Sequence, residues 1–395
     1  MLKTTPFHPR TAALMEAQQW RRWAGFLAAS AYEMSHEREY HAIRNSAALF
    51  DVSPLYKYHL RGRDATRLLD RVVTRNVAKC QPCQVMYTPW CDPRGKVIDD
   101  GTLHRFGEDN YRLTSADPNL RWLHQNARGM QVEIEDASER VASLSLQGPL
   151  SRSILEHAVG RDLGALKFFR LTNATIGGVS VVISRTGYTG DLGYEVWMDA
   201  SEALPVWDAL VVHGKPYGIT PAGMLALDIA RIEAGLILLD VDYVSARKAL
   251  IPGQLSSPFE LALGWTVSID KQPFNGKPAL AREKADGPSW SLMGLEIDWL
   301  TLERLYEDMG LAPRVAAAAS RVSVPVYDGS KQVGYATSSA WSPLLKRYIA
   351  LAHLEASSAT PGKELEFEIT VEHRRKRATA RVRKLPFYDP ARKRA

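Results

Sequence analysis

The sequence predicts an α+β body followed by a smaller all-β module, and three observations carry that prediction. Residues 62–76 place Ala65, Leu68, Leu69, Val72 and Val73 on one helical face. Strand-like runs then alternate with helical ones as far as residue 285. Beyond it, short strand patterns follow one another, often separated by Gly or Pro. The chain has 395 residues, 45% hydrophobic and 24% charged, which excludes disordered and fibrous classes. At roughly 100–200 residues per domain, that length implies two or three domains.

Taken in order, residues 85–90 and 96–106 read as strands around an Asp92-Pro93-Arg94-Gly95 turn. A β-branched run at 179–184 and a strand at 194–198 flank a glycine-dense loop, Thr186-Gly187-Tyr188-Thr189-Gly190-Asp191-Leu192-Gly193. Ser201 caps a helix carrying Leu204, Trp207, Leu210 and Val211. Thr220-Pro221 reads as a cap and first-turn proline opening a helix that ends near Gly235. The last third offers strands at 292–298, 322–327, 332–338, 348–355, 364–371 and 378–385, with a helical insert at 301–309. That pattern fits a small barrel or sandwich. The Ala-Asp-Gly-Pro-Ser stretch at 285–289 places a boundary between domains 1–285 and 290–395.

The formal charge of +6 is unevenly spread. Residues 371–395 hold 10 Lys/Arg against 2 acids, and the other 370 hold 40 against 42. The body is therefore nearly neutral, and the basicity belongs to the tail. There, charges alternate with strand-like residues without an aromatic stacking platform, which argues against nucleic acid. No apolar run reaches the ~18 residues needed to cross a bilayer, and the N-terminus lacks a secretory pattern, so a cytoplasmic enzyme without a membrane partner is expected. Cys80-x-x-Cys83, with Cys91 nearby, is half a zinc motif without a second pair. Reduced thiols and no metal are expected.

Two carboxylates stand out. Neighbouring strand residues point to opposite faces, so only one of Asp99 and Asp100 can enter a given site. Glu195 lies in an otherwise apolar strand just after the glycine loop and can accept two parallel N–H donors. Solvated positions are the plainer reading of all three acids. The glycine loop lacks phosphate-binding spacing, which disfavours nucleotides. Tyr87, Tyr188 and Trp265 lie beside turns and can stack on a flat heterocycle, although most such aromatics are core. Composition and spacing alone do not identify a reaction.

At these residues the chain resembles the glycine-cleavage T-protein (aminomethyltransferase) superfamily. Its landmarks occur in the family order. They include Ser46-Ala47-Ala48-Leu49-Phe50-Asp51-Val52-Ser53, Val97-Ile98-Asp99-Asp100, Leu146-Gln147-Gly148-Pro149 and Arg185-Thr186-Gly187-Tyr188-Thr189-Gly190 with Gly193-Tyr194-Glu195. Arg231-Ile232-Glu233-Ala234-Gly235-Leu236, Leu263-Gly264-Trp265, Val333-Gly334-Tyr335-Ala336-Thr337-Ser338, Ser342-Pro343 and Leu385-Pro386-Phe387 follow.

The resemblance implies a three-part ring, with two α+β lobes clasping tetrahydrofolate and a C-terminal β-barrel closing it. It implies transfer of a one-carbon unit from a small donor to N5 of tetrahydrofolate. Asp100 then matches the catalytic aspartate, and Glu195 the residue that grips the pterin's amino-pyrimidinone edge. Tyr87, Tyr188 and Trp265 match aromatics of the folate site, and Ser115 stands where the family has a folate-site Asn.

Three positions depart from the pattern. Gly101 replaces a Leu, Ser115 replaces the Asn, and Leu227 replaces an Arg. The expectation leans to a demethylase of a small methylated donor. The alternatives are an aminomethyltransferase acting with a lipoyl carrier protein, and a non-catalytic folate-binding protein of the iron–sulfur maintenance type. The cysteine motif of that last group is missing from residues 189–195.

Overall fold

Two sheets assembled from distant segments face each other, His104 and Arg112 of one against Trp197 of the other, and the space between these faces is the cleft of the candidate site. The computed structural model describes residues 2–395. The first sheet has five strands in the order Gln84–Cys91, Val97–Gly107, Asn110–Ser115, Tyr56–Arg61 and Glu133–Asp136. One of its faces carries Leu60, Leu103, Leu113 and Tyr58, which pack against Leu68, Leu69 and Val72 of the helix Ala65–Val72 and Leu123 of Leu120–Asn126. The amphipathic stretch at 62–76 is thus a helix, shortened at both ends.

The second sheet has six strands in the order Leu171–Ile176, Val179–Ser184, Gly193–Asp199, Val141–Gln147, Ala47–Asp51 and Ile219–Pro221. Its outer face buries Leu144, Leu146, Val181, Ile183 and Val196 under the helices Ser151–Val159 and Ala203–Gly214. Two start signals differ from the sequence reading. Asp199, whose side chain accepts from the Ser201 amide at 2.9 Å, caps the turn before Ala203–Gly214. Thr220-Pro221 lies on an edge strand parallel to Ala47–Leu49 rather than on a helix. Proline is tolerated on such an edge because no ladder donor is required there. The helix Met224–Glu233 begins only after Gly223, where a β-carbon would overlap the Ser30 carbonyl.

The last third closes into a six-stranded antiparallel barrel, Trp290–Ile297, Arg347–Glu355, Lys331–Ser342, Val324–Asp328, Glu364–Val371 and Arg374–Arg383. The barrel, not a sandwich, is realised, because Arg374–Arg383 pairs both with Glu364–Val371 and back onto Trp290–Ile297. Asp298 caps the inserted helix Trp299–Glu307, accepting from the Thr301 amide at 2.7 Å. A separate core joins barrel and lobes, combining Leu292, Ile349 and Leu351 with Ile229 and Ile232 of Met224–Glu233 and with Ile43 and Phe50. A three-stranded sheet of Lys3–Thr4, Phe26–Ala31 and Gln19–Trp23 adds an element that the sequence reading did not include. The fold is therefore two α+β lobes plus a closed β-barrel, as expected.

The basic tail is matched strand by strand. Arg381 reaches Glu364 at 2.9 Å, Arg377 reaches Glu366 at 3.0 Å and Arg383 reaches Glu296 at 2.9 Å. Among the described residues, no helix is long and apolar enough to cross a membrane.

Candidate active site

Strand alternation separates the paired acids. Asp99 points into the five-stranded sheet's helical side. There it accepts from the amides of Asp100 at 2.8 Å and Asp117 at 3.0 Å, and from Asn119 Nδ2 at 2.8 Å. Burial, then the charge of Asp100, pushes Asp99 up to about 8. Its role is to fix the end of the strand.

Asp100 points into the cleft. Tyr87 donates to its Oδ2 at 2.9 Å, and Tyr243 donates to its Oδ1. Burial raises the Asp100 carboxyl above its usual range, and the two phenols oppose that rise. An anion held this way stabilises positive charge that develops beside it in a water-poor cleft.

Tyr87 reaches Asp100 from the neighbouring strand, where it pairs with Thr102, giving a diagonal contact. Tyr243 arrives differently. Its neighbour Asp242 is clamped by Thr337 and Ser338 of the barrel, each donating at 2.6 Å, and by the buried Arg231. The barrel motif Val333–Ser338 and the helical motif Arg231–Leu236 thus converge on the segment that carries Tyr243. No residue pattern around 243 announces this role; the position of the barrel creates it.

Glu195 occupies the facing strand. Its Oε2 receives the Thr186 hydroxyl at 2.6 Å, and Thr186 lies 2.8 Å from the Ser184 hydroxyl. Burial raises Glu195, opposed first by Thr186 and then by the charge of Arg112. The glycine loop is shaped by Gln147. A β-carbon on either Gly187 or Gly193 would overlap its side-chain amide. That amide donates to Ser145 at 2.9 Å and accepts from Thr189 at 2.9 Å, so it ties the loop to the sheet.

The aromatics divide by depth. Tyr188 is half-buried and donates to the Ile237 carbonyl. Trp265 is 64% exposed, yet its ring centroid lies 6.2 Å from that of Tyr87 at 28°. Arg75 covers the same indole at 5.4 Å. Trp265 and Tyr87 therefore form a stacked pair running from solvent toward Asp100.

The structure does not bring Ser115 to this cleft. Its hydroxyl donates to the Asp117 carbonyl at 2.7 Å on the side that holds Asp99 and Asn119. Strand alternation from Thr114 explains the difference. Gly101 has a local cause as well, since a β-carbon there would overlap the Thr114 carbonyl. Leu227 is buried in the core that joins lobes and barrel. Cys80 and Cys91 are buried and Cys83 is exposed, all as free thiols.

Two residues that sequence reading missed line the same cleft. Arg112 lies with its guanidinium 4.1 Å from the centroid of the Trp197 ring, and His104 lies 5.2 Å from it. They are cross-strand partners on the face of Asp100. An Arg in an alternating strand reads as an outward residue; only the facing sheet makes it interior.

The profile of the GCVT N-terminal domain matches residues 6–271, and that of the glycine cleavage T-protein C-terminal barrel domain matches residues 309–389. An aminomethyltransferase of Halothermothrix orenii is 35% identical over 355 residues, 88% of this chain and 90% of that protein. One from Moorella thermoacetica is 33% identical over 392 residues, 98% of each. A trimethylamine-oxide aldolase of Ruegeria pomeroyi is 34% identical over 408 residues, 99% of this chain but 47% of that protein. The crystal structure of the glycine cleavage system aminomethyltransferase T from Bartonella henselae has the same fold. It superposes with a TM-score of 0.83 at 23% identity, covering 98% of this chain and 99% of that one. With both of its domains matched and the fold shared end to end, this chain belongs to the glycine-cleavage T-protein (aminomethyltransferase) family.

Proposed function

We propose that the protein is a tetrahydrofolate-dependent aminomethyltransferase whose pterin substrate lies between the two sheets, with Asp100 beside the nitrogen that takes up the one-carbon unit. The observation that carries this reading is Asp100 itself, a cleft carboxylate with each oxygen held by a tyrosine hydroxyl. The residues present fit the ligand. Glu195 keeps acceptor capacity for the adjacent N–H groups of the pyrimidinone edge, and Tyr87 with Trp265 offers stacked aromatic surface. Asp100, as an anion, favours a cationic iminium carbon at that point. Glu195 orients the ring, so much of the rate enhancement is alignment. A lipoyl carrier protein is the proposed donor partner.

The relatives favour this reading over the demethylase lean of the sequence, since those from Halothermothrix and Moorella are aminomethyltransferases. One observation keeps a demethylase as a second reading. Leu227 is buried and apolar where the resemblance calls for an arginine, and losing an arginine removes an anion partner.

The test supplies tetrahydrofolate with either an aminomethylated lipoyl carrier or a panel of methylated amines, sulfoniums and methoxy compounds. Methylene-tetrahydrofolate with ammonia is the expected product. Methyl-tetrahydrofolate would establish the demethylase instead. Folate binding without either product would leave the non-catalytic reading. Asp100→Asn should abolish turnover while keeping folate affinity; turnover near wild type would refute its role.

A further inference from the structure

The cleft contains a buried cation whose guanidinium lies against the rings of Trp197 at 4.1 Å and Phe106 at 5.2 Å but lacks a hydrogen-bonding partner among the described residues. Arg112 is 3% exposed, and among the described residues its Nε and Nη2 have no acceptor. Both nitrogens of His104 and the hydroxyl of Ser143 are likewise unpartnered. They form one cluster. His104 and Arg112 are cross-strand neighbours on the five-stranded sheet, while Ser143 pairs with Trp197 on the facing sheet. The Trp197 ring touches both Arg112 and His104.

A buried guanidinium with open donors is costly unless something fills them. Nearby groups do not. Lys57, on the same face, is itself a donor and gives its hydrogens to the carbonyls of Ser53 at 2.6 Å and Ser138 at 3.2 Å. Thr102 and Thr114 bond each other at 2.8 Å. Glu195 shares a strand face with Trp197 and acts on Arg112 through its charge, but among the described residues it leaves Arg112 Nε and Nη2 without an acceptor.

The spacing is informative. Asp100, Thr102 and His104 follow one another along one strand face, so the Arg112 end lies roughly 13 Å from Asp100. A two-ring heterocycle with a hydrogen bond at either end spans such a distance. Glu195 supplies only acceptors. A ring edge that carries a carbonyl next to its N–H groups needs a donor as well.

We propose that Arg112 is a pterin-binding residue that donates to the ring carbonyl beside the N–H edge received by Glu195, so that the two side chains recognise the lactam as a donor–acceptor pair. This rests on the tetrahydrofolate reading above. It assigns Arg112 a discriminating role: it favours a 4-oxo ring and opposes a 4-amino one, whose amino group would face the guanidinium donors.

Calorimetry on the full chain tests it with two ligands, tetrahydrofolate and its analogue with the ring carbonyl replaced by an amino group. Wild type should prefer the oxo ligand. Arg112→Met should weaken tetrahydrofolate by roughly 10- to 100-fold and leave the amino analogue unchanged or bound more tightly. Arg112→Lys, which keeps a donor and a charge, should retain most of the preference and serves if the Met variant fails to fold. Equal losses for both ligands would reveal a merely structural role and overturn the proposal, as would no loss or no preference in wild type. Wild type binding neither ligand would overturn the folate reading itself, and this inference with it.

Discussion

The hydroxyl of Tyr243 donates to Oδ1 of Asp100, a residue 143 positions earlier in the chain. The contact joins the segment clamped by the barrel to the strand that carries the cleft carboxylate, and it favours the ionised acid. Removing it with Tyr243→Phe should raise the Asp100 pKa. A hydrogen bond to a charged group is worth about 1.5–3 kcal/mol, enough for the rise to be read in a pH profile. In the proposed function the anion is the working form, so activity should fall as pH drops through that pKa. The acid limb of the kcat profile should therefore move to higher pH in the variant. An unmoved limb would separate Tyr243 from Asp100 in function.

Lys57 makes stability depend on pH. Burial lowers its ammonium to about 7, against an ordinary value of 10.5. Between those values the unfolded chain binds more protons than the folded one, so stability rises with pH and is lost as pH falls toward 7. Lys57→Met should flatten that dependence. Urea unfolding of both proteins at the two ends of the window measures it; equal slopes would contradict the assignment.

Gly101→Ala should destabilise the five-stranded sheet, because the added carbon would overlap backbone rather than a flexible side chain. The expected loss is about 1–3 kcal/mol or more, read from denaturant midpoints. Wild-type stability in the variant would mean that the strands at Gly101 and Thr114 separate freely.

Arg392→Ala tests the tail. Arg392 binds the buried Asp191 at 2.7 and 2.8 Å, and Asp191 also meets Arg44 at 3.4 Å. Nearby, Lys393 and Arg394 pair with Asp389. The tail is thus a structural strap, and the variant should lower the melting temperature and expose the last residues to proteolysis. Folate affinity at low salt should stay constant. A salt-dependent loss of affinity would restore a role for the tail in ligand attraction.

Much of this molecule is legible residue by residue. Strand patterns at 179–184 and 364–371 are realised without a shift, because alternation reports directly which face meets a core. The same alternation by itself divides Asp99 from Asp100. Signals that two structures can share are weaker. Thr220-Pro221 fits a helix start or a sheet edge equally well, and the neighbouring strand Ala47–Asp51 decided in favour of the edge.

The site shows the same division. Asp100, Tyr87, Tyr188, Glu195 and Trp265 follow from chemistry-bearing residues at landmark positions, whereas Ser115, placed by alignment to its neighbours, turns to the opposite side of its strand. Tyr243 and Arg112 could be recognised only once the fold was assembled. The sequence by itself determined most element types, the basic tail and that only one of the two adjacent acids can enter a given site, because these depend on periodicity and local charge. Tertiary structure decided which residues complete the site. The clamp on Asp242 depends on the docked barrel, and the burial of Arg112 on the opposing face of Trp197. Both are contacts between segments far apart in the chain, to which no local pattern is sensitive.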